Sequence, residues 1–178
     1  MSAAAETISL LPIEEHQRRQ RRKDSALSQL WSLLDEVKDP EIPVISIWQL
    51  GILQDIEQRE GKVIVTITPT YSGCPAMAAI VEDIVSALAQ GGYPDCEVVT
   101  RLSPAWSTSW IVDEAQEALR NYGIAPPGQA CGGEAAKVSC PQCGSENVRS
   151  ISEFGSTACK ALYQCGDCAE PFDRFKPI

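Results

Sequence analysis

Apolar residues recur at the three-to-four-residue spacing of an amphipathic helix in three stretches of the chain. The stretches cover residues 25–39, 75–90 and 109–122. The first must end before Pro40, because the residue before a proline avoids the helical region, and Pro75 is well placed to open the second. Each stretch therefore presents one apolar face. The first face consists of Leu27, Leu30, Trp31, Leu34 and Val37. The second consists of Met77, Ile80, Val81, Ile84, Val85 and Leu88, and the third of Ile111, Ala115, Ala118, Leu119 and Tyr122.

Between these helices, apolar and polar residues alternate with the period of a β-strand. Strands are predicted at residues 52–56, 63–67 and 96–102, and the turn at Glu60-Gly61 makes the first two an antiparallel pair. The pattern therefore predicts an α+β fold: a small mixed domain with a three-stranded sheet and about three helices.

Proline, glycine and cysteine content divide the chain into four parts. We predict a flexible basic arm over residues 1–24, the α+β domain over 25–125, a linker over 126–137 and a cysteine-rich β module over 138–178. No apolar run approaches the roughly 20 residues needed to span a bilayer, and the N-terminus lacks the apolar core of a signal peptide. Eight cysteines without export features favour metal or thiol chemistry in a reducing cytoplasm.

Charge is unevenly distributed along the chain. Residues 26–128 carry five basic and 14 acidic side chains, which disfavours a broad phosphate-binding surface on the main domain. The arm holds a basic block from Arg18 to Lys23. Such a block is most often part of a solvated tail, and nucleic-acid binding is the less favoured alternative.

Two C-x2-C pairs, Cys140/Cys143 and Cys165/Cys168, have 21 residues between them. Each pair forms a tight turn, and the intervening length suffices for a hairpin that brings the turns together, so the spacing predicts one four-thiolate metal site. Such a tetrahedron has no open position and favours a structural role, with zinc preferred and iron as the alternative. The competing interpretation is four free or redox-active thiols.

Cys159 is surplus to a complete tetrahedron. From the sequence it is an alternative ligand, a thiolate of a second site or a plain hairpin residue, and the neighbouring Lys160 favours its ionised form. Cys131, in the linker, and Cys96, in a predicted strand, have simpler explanations as a spare thiol and a small buried side chain.

Cys74 directly precedes the proline that opens the second helix. Free backbone N–H groups and the helix dipole at that position predict a lowered pKa and a thiolate able to bind a soft metal or react as a nucleophile. A buried or capping thiol is the alternative. Asp39 and Glu41 supply oxygen ligands or acid-base groups if the fold brings them near Cys74. The single histidine, His16, lies in the arm, so the folded part offers no Cys-His or Ser-His pair for hydrolase chemistry.

Several segments resemble a known family. DPEIPVISIWQLG, YSGCPA, PAWSTSW and YGIAPP are similar to the DUF59 (MIP18) family, whose members act in iron-sulfur cluster assembly. With CPQCG, SEFGSTACKALYQCGDC and EPFDRFK added, the chain resembles the accessory subunits of the bacterial phenylacetyl-CoA epoxidase system, over about residues 25–178.

This resemblance implies a cytoplasmic, non-catalytic accessory factor of phenylacetate degradation. It implies a role in the maturation of iron or iron-sulfur centres, with the ferredoxin-type reductase of the oxygenase as the main client. By the family pattern Cys74 is the cluster-handling thiol, carrying a transient iron-sulfur cluster, with Asp39 and Glu41 in the adjoining acidic motif. The C-terminal module is then a zinc-ribbon-like docking unit.

The chain departs from the family pattern where Gln49 and Ser109 replace aspartates, which would weaken a metal site built on those positions. The alternatives are a structural subunit of the oxygenase without metal transfer and, least favoured, a zinc-ribbon nucleic-acid binder. A homodimer stays open as a further partner arrangement, and no membrane partner is expected.

Overall fold

Three small sheets and four α-helices account for the regular structure of residues 13–127 and 137–178, the part of the chain that this computed structural model describes. The helices are α1 Ile13–Asp24, α2 Ser28–Leu34, α3 Met77–Gln90 and α4 Asp113–Asn121, with a 3-10 helix at Thr108–Trp110 before α4. The strands are β1 Lys38–Asp39, β2 Ile42–Ser46, β3 Leu53–Arg59, β4 Lys62–Ile67, β5 Cys96–Thr100, β6 Ile124–Ala125, β7 Val148–Ser152, β8 Lys160–Cys165 and β9 Pro171–Phe175.

The central sheet has the order β3-β4-β5 and confirms the predicted α+β class. β3 and β4 are antiparallel, whereas β4 and β5 are parallel and are connected by α3. The helix buries Ile80, Ile84 and Leu88 against the core, as its apolar spacing predicts.

The first predicted helix is shorter than its apolar stripe. α2 ends at Leu34, and the chain then forms the small antiparallel pair of β1 and β2. Asp39 drives this turn, since its Oδ1 accepts the backbone N–H groups of Glu41 and Ile42, each at 2.9 Å. A carboxylate that holds two N–H groups replaces the helical hydrogen bonds that Pro40 interrupts. The third strand likewise ends at Thr100, before the predicted limit of residue 102.

The expectation of a flexible arm is wrong for residues 13–24, which form α1. The guanidinium of Arg18 is buried and donates to the backbone carbonyls of Trp48, Leu53 and Trp110 at 3.1, 3.2 and 3.0 Å. It also pairs with the buried Glu15 at 2.7 Å. The sequence analysis treated the basic block as solvated. In the structure, however, the guanidinium of Arg18 donates hydrogen bonds to the backbone carbonyls of three residues that are distant from it in the sequence. Residues 1–12 of the arm lie outside the described residues.

The C-terminal module is a four-stranded sheet of order β6-β9-β8-β7. β6 comes directly from the main domain and pairs in parallel with β9, so the two units share a sheet. The module has its own small core of Ala125, Cys140, Cys165 and Phe172. Of the predicted linker, residues 128–136, including Cys131, lie outside the described residues.

Within residues 13–127 and 137–178, no helix combines the length and the apolar character needed to cross a bilayer.

Candidate functional site

The four predicted cysteine ligands meet at one end of the C-terminal sheet. Cys140 and Cys143 occupy the turn before β7, whereas Cys165 ends β8 and Cys168 follows in the turn before β9. Their sulfur atoms all lie within 4.8 Å of one another. The Sγ atoms of Cys140 and Cys168 are 3.7 Å apart, and those of Cys143 and Cys165 are 3.5 Å apart.

This arrangement fits a zinc ion. A tetrahedral ion with zinc-sulfur bonds of about 2.3 Å separates its sulfurs by about 3.8 Å, close to the observed spacing. The Cys165 sulfur accepts the backbone N–H groups of Asp167 and Cys168 at 3.4 and 3.5 Å. These N–H groups, that of Cys168 foremost, lower the pKa of Cys165 to about 7 and favour the thiolate that a metal requires. Four thiolates leave no position for a substrate, so the site is structural in type.

Polar contacts around the cluster hold its two turns together. The Asp167 carboxylate accepts hydrogen bonds from the Ser145 hydroxyl at 2.5 Å and from the Asn147 amide at 2.7 Å. Ser145 and Asn147 follow the first C-x2-C pair, and Asp167 lies inside the second. The cluster is therefore oriented by bonds between its two halves, as metal sites commonly are.

Cys159 does not join this cluster. Among the described residues, the group of neighbouring ligand atoms contains only the other four cysteines of the module. Cys159 is 5% exposed and packs in the core of the main domain, so its role as an extra ribbon ligand is not supported.

The second candidate site combines Cys74 with the Asp39-Glu41 motif, and the three side chains interact electrostatically in the fold. Asp39 is buried in β1 and Glu41 follows it in the turn to β2. Cys74 is half-buried in the turn between β4 and α3, where its backbone N–H donates to the Tyr71 carbonyl at 3.2 Å. Both carboxylates are close enough to Cys74 to act on its thiol electrostatically.

The predicted lowering of the Cys74 pKa is wrong. Burial raises the pKa of this thiol, the backbone N–H of Ala76 lowers it, and the charges of Glu41 and Asp39 raise it further. The N–H of Ala76, the residue directly before α3, opposes this rise in the pKa of Cys74, but its effect is smaller than that of desolvation. The Cys74 thiol therefore holds its proton more tightly than an ordinary cysteine.

The carboxylates themselves hold protons more tightly than usual. Burial raises the pKa of Asp39, although the N–H groups of Glu41 and Ile42 lower it. Burial and the Asp39 charge raise the pKa of Glu41.

Sequence reasoning did not connect Lys160 with the carboxylates of this candidate site. Its side chain is buried, lies 3.7 Å from the Asp173 carboxylate, and lowers the pKa of both Asp39 and Glu41. The adjacency of Cys159 and Lys160 was the available signal, but only the tertiary structure directs both residues toward the main domain.

The two departures from the family pattern have local roles. The Gln49 side chain accepts the Ser46 N–H at 2.9 Å, and its backbone carbonyl accepts the Val112 N–H at 3.1 Å. Ser109 is exposed and its hydroxyl is 3.0 Å from that of Ser107.

The basic block offers little to a nucleic acid. Arg18 is buried, and Arg19, Arg21 and Arg22 pair with Glu15, Asp55 and Asp35. Phosphate binding would require these intramolecular partners to be exchanged.

Two protein families match successive parts of the chain. Residues 27–100 match the family described as iron-sulfur cluster assembly protein, and residues 125–176 match the PaaD zinc beta ribbon domain. The first match contains the Cys74 site, and the second contains the four-cysteine cluster.

Individual relatives match either most of this chain or about half of it. A protein of Escherichia coli (strain K12) named as a putative 1,2-phenylacetyl-CoA epoxidase component is 47% identical over 152 residues, covering 84% of this chain and 92% of the relative. An Fe-S protein maturation auxiliary factor of Porphyromonas gingivalis is 32% identical over 47% of this chain and 80% of the relative. The factor YitW of Bacillus subtilis, which bears the same description, is 35% identical over 48% of this chain and 85% of the relative.

Proposed function

This chain belongs to the PaaD family of 1,2-phenylacetyl-CoA epoxidase components, and we propose that it is a non-catalytic accessory factor that supplies iron or an iron-sulfur cluster to that oxygenase system. One observation carries the proposal: Cys74, a half-buried thiol, interacts electrostatically with two carboxylates in the part of the chain that matches iron-sulfur assembly proteins. The relatives are named as an epoxidase component and as auxiliary factors, which agrees with an accessory role.

In this proposal, Cys74 reversibly binds the iron or iron-sulfur cluster that is to be transferred, called the cargo below. A thiol with a raised pKa keeps its proton until a thiophilic metal displaces it, and the nearby carboxylates then compensate the positive charge. Partial exposure leaves the sulfur accessible to a client protein, whereas the buried Asp39 stays fixed by its two backbone hydrogen bonds. Such a site binds cargo without enclosing it, which suits transfer better than storage.

The C-terminal cluster has a different task in this proposal. Cys140, Cys143, Cys165 and Cys168 would hold a resident zinc ion, which stabilises the ribbon and supplies no reaction chemistry. The ribbon would then present its sheet to the client, for which the ferredoxin-type reductase is our candidate because it carries an iron-sulfur centre. A cytoplasmic location belongs to the same proposal, since free thiols persist in a reducing compartment. A homodimer stays a prediction.

The test is Cys74→Ser in cells that express the complete epoxidase system. We expect iron-sulfur occupancy of the reductase and epoxidase activity to fall together, because serine binds iron weakly. Cys96→Ser is the matched control, since Cys96 is also half-buried but lies in β5, outside the site.

Unchanged occupancy and activity in Cys74→Ser would exclude the transfer role. In that case the structural-subunit alternative predicts that the variant still co-purifies with the epoxidase components.

A further inference from the structure

We propose that β5 is a homodimer interface, in which two copies of the chain pair their β5 strands antiparallel about a two-fold axis at Val99. The two central sheets then join edge to edge into one continuous sheet. The inference does not rest on the proposed function, because neither the Cys74 site nor the four-cysteine cluster takes part in this pairing.

β5 is an open edge of the central sheet. It pairs with β4 on one side, and no other strand of residues 13–127 and 137–178 pairs with it on the other. Residues 101–105, which lead away from β5, are all exposed, and among them Leu102 is an apolar side chain with 60% exposure. The edge is therefore accessible to a further strand.

β5 also lacks the features that usually keep edge strands from pairing. Natural edges are commonly interrupted by a bulge or covered by another element. The other edge of the central sheet, β3, has an irregular register between Leu53 and Asp55 and contacts α1. The outer strand of the ribbon, β7, is irregular between Ser150 and Ser152. In contrast, β5 keeps a regular register along its whole length.

The backbone direction of β5 selects the residues that can bond a second copy. In a parallel pair, the residues of one strand alternate between bonding the neighbouring strand and pointing away from it. The Arg101 N–H donates to the Ile67 carbonyl at 2.8 Å, so Val99, two residues earlier, also bonds β4. Val98 and Thr100 therefore direct their N–H and C=O groups to the open edge. In an antiparallel copy centred on Val99, Val98 lies opposite Thr100 of the second copy, and such a pair exchanges two hydrogen bonds.

The side chains around Val99 are complementary to those of a second copy. Val99 lies opposite its own copy, and Glu97 lies opposite Arg101 of the second copy, at Cα separations of about 4.5 Å. Apolar side chains thus meet each other, and each carboxylate meets a guanidinium on the same face of the sheet. The two-fold symmetry gives two such ion pairs.

The charges also specify the register of the pairing. Moving the axis to Val98 would place Glu97 opposite Val99, and moving it to Thr100 would place Arg101 opposite Val99. Both shifts set a charged side chain against an apolar one, so the axis at Val99 is the favoured register.

Glu97 can join this pairing although it has a partner within its own chain. Its carboxylate is 2.7 Å from the Lys62 ammonium, and both side chains are partly exposed. A carboxylate has lone pairs for further donors, so Arg101 of a second copy would add to this pair without breaking it. Arg101 is itself exposed.

The proposed interface is small. Pairing along one short edge strand buries less than the roughly 800 Å² per partner of a standard stable interface. We therefore expect a reversible dimer with a Kd on the order of 10–100 μM rather than an obligate one.

Sedimentation velocity of the full, zinc-loaded chain in reducing buffer measures this equilibrium. A concentration range of about 1 to 500 μM brackets the expected Kd. We expect the wild type to shift from monomer to dimer across this range.

Charge reversal tests the two ion pairs. Glu97→Arg and Arg101→Glu each place like charges opposite one another at two positions of the dimer, so each variant alone should dimerise at least about tenfold more weakly. An equimolar mixture of the two variants should recover dimerisation, because the carboxylates of one chain then face the guanidiniums of the other. Arg59→Glu, the same charge change at an exposed residue of β3, is the control and should dimerise like the wild type.

Val99→Cys tests the axis directly, since this residue lies opposite its own copy. Cα atoms about 4.5 Å apart are within reach of a disulfide, so mild oxidation should link two chains through position 99. Thr100→Cys is the control, because its own copy lies diagonally across the pair, about 7–8 Å away. Peptide mass spectrometry distinguishes the new link from any formed by the native cysteines.

The inference is overturned if the wild type stays monomeric at the highest concentration, if either charge variant dimerises as tightly as the wild type, or if Val99→Cys links no faster than Thr100→Cys. Cys74→Ser, the variant that tests the proposed function, should dimerise like the wild type. The interface and the transfer role can therefore fail independently of each other.

Discussion

At the scale of single residues, the carboxylates of Asp39 and Glu41 control the reactivity of Cys74. Both charges raise the pKa of the thiol, Glu41 more than Asp39, and add to the larger effect of burial. The isosteric amides remove these charges, and Asn at position 39 retains an oxygen for the two backbone N–H groups that Asp39 accepts.

We therefore predict that Glu41→Gln and Asp39→Asn each lower the pKa of Cys74, with the larger change for Glu41→Gln. A lower pKa means more thiolate at a given pH, so alkylation of Cys74 should reach half its maximal rate at a lower pH. Peptide-resolved mass spectrometry after timed alkylation measures this midpoint in the metal-free protein. Glu57→Gln, in β3, is the control, and an upward shift in the Glu41 variant would contradict the assignment.

At the scale of secondary-structure elements, α1 and the ribbon each depend on one polar cluster. α1 is mostly polar, so its attachment relies on the buried Arg18 and its pair with Glu15 rather than on an apolar stripe. The ribbon has a core of four buried residues and relies on its metal cluster. We therefore expect α1 to lose its attachment and the ribbon to unfold when a residue of the respective polar cluster is replaced.

For α1, we predict that Arg18→Ala destabilises the protein by about 3–5 kcal/mol. The variant leaves the Glu15 carboxylate buried without its guanidinium and leaves three carbonyls without their donor. Denaturant unfolding measures the loss. Arg59→Ala is the control, because its pair with Glu57 is exposed and should contribute less than about 1 kcal/mol. Equal losses in the two variants would show that α1 is not anchored by Arg18.

For the ribbon, we predict one zinc ion per chain in the wild type and none in Cys165→Ala. Structural zinc contributes on the order of 10 kcal/mol to the folding of small domains, so its loss should unfold β7 to β9. Metal analysis and hydrogen exchange measure the two effects. Cys96→Ser should keep the zinc and the slow exchange, and a Cys165→Ala protein with protected ribbon strands would refute a structural role for the metal.

At the scale of the whole molecule, the ribbon and the main domain are joined by packing as well as by the chain. Phe175 of β9 is fully buried and packs on Trp106, and the shared sheet brings β6 beside β9. This contact fixes where Cys159 and Lys160 lie relative to Cys74. The geometry of the second site is therefore a property of the interface between the units.

We predict that Phe175→Ala costs about 3–5 kcal/mol and exposes Cys159. The cavity loosens the ribbon from the main domain, so alkylation of Cys159, now 5% exposed, should accelerate strongly. Timed alkylation with mass spectrometry measures the rate. Phe154→Ala, at a residue that is 69% exposed, should leave the rate unchanged, and slow alkylation of Cys159 in both variants would argue against this interface.

The sequence by itself determined the features that depend on neighbouring residues. The apolar periodicity located α2, α3, α4 and the three strands of the central sheet, because side-chain spacing reports which face an element buries. The C-x2-C spacing identified the four clustered cysteines, because each pair forms its turn locally.

Only the tertiary structure decided the features that depend on distant segments. It bound Arg18 to carbonyls 30, 35 and 92 residues away, and it placed Cys159 of the ribbon in the core of the main domain. It also reversed the expected pKa shift of Cys74. Burial and the charges of Asp39 and Glu41 act through space, and no local pattern in the chain records which groups surround a thiol.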